Sequence, residues 1–146
     1  MKIIMNHYLI DDTDFRILQL LIDDATLSHK EIGEHVHMTG QAVGARIRRM
    51  QEMQVIESFS VRWNPEKLGL GIHAFVTVFL SSSAAHQTFQ DFAKINTQVH
   101  ELHRISGEGC YWMRILVKNQ EELNTFLDDL LQYGNYKLML STGRVK

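Results

Sequence analysis

Residues 28–53 read SHKEIGEHVHMTGQAVGARIRRMQEM, which is the pattern of two short helices with a tight break between them. Ser28 is a favoured N-cap residue, and Glu31, three positions later, completes a capping box. The first helix is expected to end at His37, and Thr39 then caps the second. The apolar residues that recur at helical spacing are Ile32, Val36, Val43, Ile47 and Met50. This pattern predicts a helix-turn-helix, whose second helix can enter the major groove of DNA.

The second helix begins with small or polar residues and continues with Arg46, Arg48 and Arg49. A guanidinium group donates two parallel hydrogen bonds and therefore suits phosphate oxygens and guanine edges. An ordinary solvated helix face is the alternative, and the capped helix pair favours DNA reading over it. Spacing alone leaves two roles open for Arg46 and Arg49, which are phosphate contact and attachment of the helix. The residues predicted to bind DNA are Thr39, Gln41, Ala42, Gly44, Ala45, Arg46, Arg48 and Arg49.

A third helix is predicted before this pair. Asp11 is expected to cap it, with Asp14 three positions later, and acidic residues in a first turn are favoured by the helix dipole. An apolar stripe is predicted to pack beneath the other two helices; it consists of Phe15, Leu18, Leu21 and Ile22. The result would be a compact unit of three helices.

The composition limits the classes of protein to which the chain can belong. Its 146 residues suit one domain or two small ones, and 45% apolar residues are enough for a core. No apolar run approaches the roughly 18 residues of a membrane span, so no membrane partner is expected. The single cysteine, Cys110, excludes an intrachain disulfide and suits a reducing cytoplasm. With a net charge of −2, DNA binding has to depend on local placement of positive charge.

The middle of the chain is predicted to form a linker. Phe59, Val61 and Trp63 alternate with polar residues, which indicates a strand with one buried face. Pro65, the one proline of the chain, ends that strand, and a glycine-bearing turn follows. The predicted domains are therefore a helix-turn-helix domain over 1–56, a linker strand and turn over 57–71, and a second domain over 72–146.

The second half alternates between strands and amphipathic helices in the order strand, helix, strand, strand, helix, strand. This order predicts a ferredoxin-like βαββαβ domain, so the fold class is α+β. Strands are expected over 72–80, 99–105, 110–117 and 136–145. Such a sheet has helices on one face, yet Phe75, Phe79 and Trp112 put apolar side chains on the other. A second copy of the chain is the simplest cover, so we predict a homodimer.

These two halves together resemble the Lrp/AsnC family (leucine-responsive, or feast/famine) of transcription regulators over Ile10 to Val145. No single residue or motif identifies the family, but the order and spacing of the whole set do. The marks are Ile10-Asp11, Asp14, Ile17-Leu18, Ser28, Glu31-Ile32, Thr39, Arg46-Ile47-Arg48-Arg49-Met50, Val55-Ile56, Asn64-Pro65, Leu68-Gly69, Ser106-Gly107 and Tyr111.

The resemblance implies a regulator that binds double-stranded DNA through an N-terminal (winged) helix-turn-helix domain. Members of the family pair through the sheets of the second domain and often assemble into rings or octamers. Their small effectors, commonly amino acids, bind at subunit interfaces near one loop. In this chain the implied effector-binding residues are Arg104, Ser106, Gly107, Glu108, Gly109, Cys110 and Tyr111.

The chain departs from the family pattern at three positions. Cys110 stands where an aspartate is usual in the effector loop, and a thiol cannot supply the charge that pairs with an amino group. Gln54 stands where a glycine usually ends the second helix of the helix-turn-helix, which we call the reading helix. A left-handed backbone at Gln54 would therefore cost about 1 kcal/mol or less. Gly40 stands where proline is frequent.

Other functions are weighed against this one. The eight histidines form no strong zinc spacing, and Cys110 has no base in a local motif, so we predict no metal site, no cofactor and no catalytic residue. The chain is therefore not expected to be an enzyme. A siroheme decarboxylase-like enzyme of the same fold is one alternative, and a ligand-sensing module that co-assembles without binding DNA is another. The expected location is the cytoplasm, in association with the nucleoid.

Overall fold

A computed structural model of the chain describes residues 3–5 and 8–146, with side chains described from residue 10 onward. The chain divides into two compact units, of which the first ends at Arg62 and the second runs from Trp63 to Lys146. The boundaries predicted at 56 and 71 remain predictions.

The first unit contains a short antiparallel hairpin and three helices. Its elements are β1 (Ile3–Met5), β2 (Tyr8–Ile10), α1 (Asp12–Asp23), α2 (His29–Val36) and α3 (Gly40–Glu52). The helices enclose a small core formed by Ile17, Leu21, Ile32, Val36, Val43, Ile47, Met50 and Ile56. All the apolar positions predicted for α2 and α3 are buried, because they recur on one face of each helix.

Side chains cap the three helices at the predicted residues. The Asp11 carboxylate accepts from Asp14 N at 2.8 Å, and the Asp14 carboxylate accepts from Asp11 N at 3.2 Å. Ser28 and Glu31 form the same reciprocal pair at the start of α2. Thr39 Oγ1 accepts from Ala42 N at 3.2 Å at the start of α3. Each cap satisfies a backbone N–H that the first turn of a helix leaves without a partner.

The buried face of α1 differs from the predicted stripe. Phe15 is 54% exposed and Ile22 is 68% exposed, whereas Asp14, Ile17 and Leu21 are buried. Positions 14, 17 and 21 lie on one helical face. The buried face therefore includes an aspartate, whereas the predicted stripe consisted of apolar side chains. This aspartate has ionic partners on α3, which stabilise its burial.

The predicted linker strand is absent, and residues 57–64 are neither helix nor strand. A strand requires a neighbour that completes its backbone hydrogen bonds, and no described strand of the chain pairs with this segment. Its alternating apolar residues, Phe59, Val61 and Trp63, are consequently exposed. The predicted turn is a 3₁₀ helix at Pro65–Leu68, closed by Gly69 in the left-handed conformation. Gln54 is also left-handed, with φ of 57°.

The second unit is a four-stranded antiparallel sheet with two helices, which confirms the ferredoxin-like fold. Its elements are β3 (Ile72–Leu80), α4 (Ala85–Ile95), β4 (Val99–Arg104), β5 (Tyr111–Val117), α5 (Gln120–Leu130) and β6 (Gly134–Leu140). The strand order is β4-β5-β3-β6. The last strand, expected over 136–145, ends at Leu140, because it pairs with β3 from Leu80↔Gly134 to Ala74↔Leu140.

The core of this unit lies between the sheet and both helices. It contains Ala74, Val76 and Val78 of β3 together with Phe89 of α4 and Phe126 of α5. Side chains alternate across a strand, so neighbouring residues point away from the helices. We call this second surface the open face. It includes His73, Phe75, Thr77, Trp112, Arg114, Leu116 and Met139.

Candidate functional site

The predicted DNA-binding residues of α3 fall on different sides of the helix. Gln41, Ala45 and Arg48 are exposed, and their spacing of four and three places them on one face. Thr39 is exposed at the N-cap, and Ala42 is half-buried. Arg49 is also exposed, and Arg46 is half-buried.

Gly44 is buried, although the sequence predicted that it would face the groove. A Cβ at position 44 would lie 2.8 Å from Nδ1 of His29, at the start of α2. Glycine at this position therefore allows α2 and α3 to approach each other. Its role in the structure is packing within the first unit.

The turn between α2 and α3 is tight because of two backbone features. His37 adopts the left-handed conformation with φ of 57° as the C-cap of α2. Met38 N donates to Gly33 O at 2.9 Å, and a Cβ on Gly33 would lie only 2.3 Å from the carbonyl oxygen of Met38. These features fix the direction in which α3 leaves the turn.

Two of the three arginines of α3 bind carboxylates of the same unit. Arg46 Nη1 donates to Asp11 Oδ2 at 2.7 Å and to Asp14 Oδ1 at 2.8 Å. Arg49 Nη2 donates to Asp14 Oδ2. Asp14 is fully buried, whereas among the described residues no carboxylate pairs with Arg48. Both arginines therefore attach α3 to α1, which is one of the two roles that the sequence left open for them, and phosphate contact stays a prediction.

These contacts shift the ionisation of both partners. The hydrogen bond from Arg46 lowers the pKa of Asp11, and the Asp14 backbone N–H lowers it further. The hydrogen bonds to Asp11 and Asp14 raise the pKa of Arg46. In the Arg46–Asp11 pair, each charged form stabilises the other. This cluster was not predicted from the sequence, where its signal is an acidic residue on the same helical face as Ile17 and Leu21.

The predicted effector loop is anchored to the sheet at one end. Cys110 N donates to Val78 O at 2.7 Å, and Ile105 N donates to Cys110 O at 3.1 Å. Gly109 has φ of 94°, and a Cβ there would lie 2.5 Å from Cγ2 of Thr77. A side chain at 109 would therefore be strained, because the backbone conformation favours glycine and Thr77 would have to move.

The rest of the loop is open. Arg104, Ser106, Gly107 and Glu108 are exposed, and nothing lies within 4 Å of a Cβ built at Gly107. Lys137 Nζ of β6 lies 3.4 Å from Glu108 Oε1. This arrangement leaves charged groups of both signs accessible beside an unobstructed backbone.

Tyr111 differs from the other predicted effector residues because it is a core residue. It is 2% exposed, and its ring packs on Phe89 of α4 with 4.8 Å between ring centroids. Its hydroxyl accepts from Gln90 Nε2 at 2.7 Å and lies 3.1 Å from His86 Nδ1. Tyr111 therefore supports the base of the loop from the helix side. Cys110 is only partly exposed.

The open face carries an aromatic and histidine cluster. Phe75 and Trp112 are stacked with 5.4 Å between ring centroids, and His73 and His103 contact them from either side. Nε2 of His73 is buried and has no hydrogen-bond partner among the described residues. Burial lowers the pKa of His73, and it also lowers that of His100. Within the described part of the chain, no group of three metal-ligating side chains comes together.

Comparison with protein families assigns both units. Residues 10–51 match the AsnC-type helix-turn-helix domain, and residues 73–146 match the Lrp/AsnC ligand binding domain. The chain belongs to the Lrp/AsnC family. It is therefore a helix-turn-helix transcriptional regulator with a ligand-binding domain, as the resemblance implied.

Individual relatives agree with this assignment. The Lrp/AsnC chain is 44% identical to the HTH-type transcriptional regulator LrpB of Bacillus subtilis over 137 residues, which cover 94% of the chain and 91% of the relative. The structure of B. subtilis LrpC matches with a TM-score of 0.86 at 21% identity and covers 94% of this chain and 97% of LrpC. A transcriptional regulator from Neisseria meningitidis, solved as a complex with L-Met, matches with a TM-score of 0.87 at 22% identity and covers 94% of this chain and 92% of that one.

The described helices bear on the prediction that no segment spans a membrane. None of them combines the length and the apolar character that a membrane span requires.

Proposed function

We propose that this regulator reads double-stranded DNA with the exposed face of α3, defined by Gln41, Ala45 and Arg48. The observation that carries the proposal is that these three residues share one accessible face of a helix capped at its start by Thr39. A glutamine can pair with adenine and an arginine with guanine, while a small residue between them lets the backbone approach the base edges. The regulator would act on nucleoid DNA in the cytoplasm.

We further propose that the regulator acts as a homodimer formed through the open face. Trp112 and Phe75 present stacked rings there, and Met139 is 45% exposed. An apolar sheet face of this kind is stabilised when a second copy removes it from water. Two copies supply two reading helices, which doubles the phosphate contacts of a protein whose net charge is −2. Rings or octamers would be built from such dimers.

The effector site is proposed at the loop Ser106–Cys110 and Arg104, where a subunit interface would close over it. Arg104 is a candidate partner for an effector carboxylate, and Glu108, the acidic residue of the loop, is a candidate partner for an amino group. Because Cys110 supplies no charge, Glu108 would have to exchange Lys137 for the ligand. Tyr111 is left out of the proposed contacts because its side chain is buried in the core. The ligand class is a small amino-acid-like molecule, in keeping with the L-Met complex of the Neisseria regulator.

The test is a gel-shift titration with genomic fragments at low salt, where phosphate contacts are strongest. Wild type should form a discrete complex, and Arg48→Ala should weaken it by roughly 1–3 kcal/mol. The matched control is Lys94→Ala on α4, which removes one exposed positive charge outside the first unit and should bind as wild type does. Absence of any complex with wild type would refute DNA reading, and equal affinities for Arg48→Ala and wild type would remove Arg48 from the interface.

A further inference from the structure

We propose that Asp14 is the positioning residue of the reading helix: its buried carboxylate removes Arg46 and Arg49 from DNA contact and sets the face that α3 presents. This inference rests on the proposed DNA-reading function and assigns different roles to three arginines that the sequence does not distinguish. Arg48 contacts DNA, and the other two guanidiniums bind α1.

Asp14 is completely inaccessible. A carboxylate is rarely buried unless it is paired, since removing its charge from water is unfavourable without hydrogen-bonded partners. Both carboxylate oxygens have an arginine partner, one from Arg46 and one from Arg49. If either guanidinium left for a phosphate, one oxygen of this buried carboxylate would lose its arginine partner.

Arg46 and Arg49 lie three residues apart on α3, and Asp14 bridges them from α1. Asp11, the N-cap of α1, holds Arg46 from a second direction at 2.7 Å. Contacts at two positions along α3 fix both its rotation and its translation relative to α1. The exposed face that contains Ala45 and Arg48 is set by this attachment.

Removal of the Asp14 charge should change DNA affinity in opposite directions under the two explanations, which are positioning of α3 and direct repulsion of phosphates. A carboxylate near DNA repels phosphates, so its removal should tighten binding if Asp14 acted only through its field. In that case the removal would also release two arginines for phosphate contact and increase the salt slope. If Asp14 positions α3, the same change should instead weaken specific binding, because the face of α3 loses its fixed orientation.

The experiment measures the salt dependence of binding for wild type, Arg46→Ala, Arg48→Ala and Arg49→Ala, using anisotropy of a labelled specific fragment. Each phosphate that a variant no longer neutralises reduces the slope of log affinity against log salt by about 0.9. The inference predicts that Arg48→Ala lowers affinity about tenfold. It also predicts that Arg46→Ala and Arg49→Ala lower affinity while leaving the slope at the wild-type value. A slope reduced by about 0.9 in Arg46→Ala or Arg49→Ala would overturn the inference.

A second set of variants removes the carboxylate. Asp14→Asn is predicted to lower the ratio of specific to non-specific affinity about tenfold. Its control is Asp23→Asn, which removes one negative charge from the exposed end of α1. Folding of each variant is checked by circular dichroism at the assay temperature. Asp11→Asn, which keeps an N-cap residue and removes one partner of Arg46, gives a smaller decrease in the same direction if Asp14→Asn does not fold.

The outcomes separate the two proposals. Tighter specific binding by Asp14→Asn or Asp11→Asn than by wild type would refute positioning, whereas weaker binding with a wild-type salt slope supports it. A wild-type chain that binds no fragment at low salt would refute DNA reading itself and the inference with it. Wild-type binding followed by a reduced slope in the Arg46 or Arg49 variants would refute the inference alone.

Discussion

The backbone of Gly33 in α2 lies against the carbonyl of Met38, so closely that a Cβ on Gly33 would stand 2.3 Å from that oxygen. The obstacle is backbone, which cannot rotate away as a side chain can. The same carbonyl belongs to the turn that leads into α3. Position 33 therefore couples the packing of α2 to the direction of the reading helix.

Gly33→Ala should destabilise the first unit by about 1–3 kcal/mol, since the overpacking outweighs the roughly 1 kcal/mol that alanine contributes to a helix. The measurement is thermal unfolding followed by circular dichroism. Gly71→Ala is the control, because its Cβ would meet nothing nearer than 3.9 Å and its change should stay within about 0.5 kcal/mol. Equal stability of Gly33→Ala and wild type would show that the turn adjusts freely.

Stability should fall as the pH drops below about 6.5, the ordinary pKa of histidine. Burial lowers the pKa of His73, and the charge of Arg114 lowers it further, while Glu101 opposes this effect and Arg144 and His100 add to it. The native state therefore binds fewer protons than the unfolded state, so stability is complete above the unfolded pKa and declines below it.

The measurement for His73 is the unfolding temperature at about pH 7.5 and about pH 5.5 for wild type and His73→Gln, the range in which an ordinary histidine titrates. The difference between the two pH values should be smaller in His73→Gln. His103→Gln serves as the control, because that ring is 60% exposed. A wild-type difference that His73→Gln leaves intact would assign the titration to another group.

Trp112→Glu should abolish self-association by placing a charge in the centre of the open face, next to Phe75. Sedimentation velocity would show a monomer for this variant and a dimer or larger species for wild type. Ile95→Glu is the control, since Ile95 is 82% exposed on α4 and lies outside the open face. A Trp112→Glu protein that sediments as wild type does would remove the open face from the interface.

Much of the local structure could be predicted because the signals lie close together in the sequence. Ser28 and Glu31 are three residues apart, so a capping box is visible without knowledge of the fold. The strand and helix order of the second unit follows likewise from periodicity within each segment. The helix-turn-helix pattern supplied the candidate DNA-binding residues, of which Gln41 and Arg48 are exposed, and the family resemblance supplied the effector loop.

The features that escaped prediction depend on residues far apart in the chain. The burial of Asp14 depends on arginine partners that lie 32 and 35 positions later in the chain. Hydropathy within the helix therefore predicted Phe15 and Ile22 as buried residues instead. The prediction of a linker strand was wrong because the alternating residues from Phe59 to Trp63 form a strand only where a neighbouring strand completes the backbone hydrogen bonds. The end of β6 is set by the register with β3.

The claim that α3 enters DNA is tested most directly by photo-crosslinking from its exposed face. Ala45→Cys, in a Cys110→Ser background, would carry a thiol-reactive photo-crosslinker, and Ile95→Cys on α4 in the same background would serve as the control. The account predicts that position 45 crosslinks to a specific fragment within the retarded complex and that position 95 does not. Crosslinking from 95 with none from 45, in a complex that has formed, would contradict it.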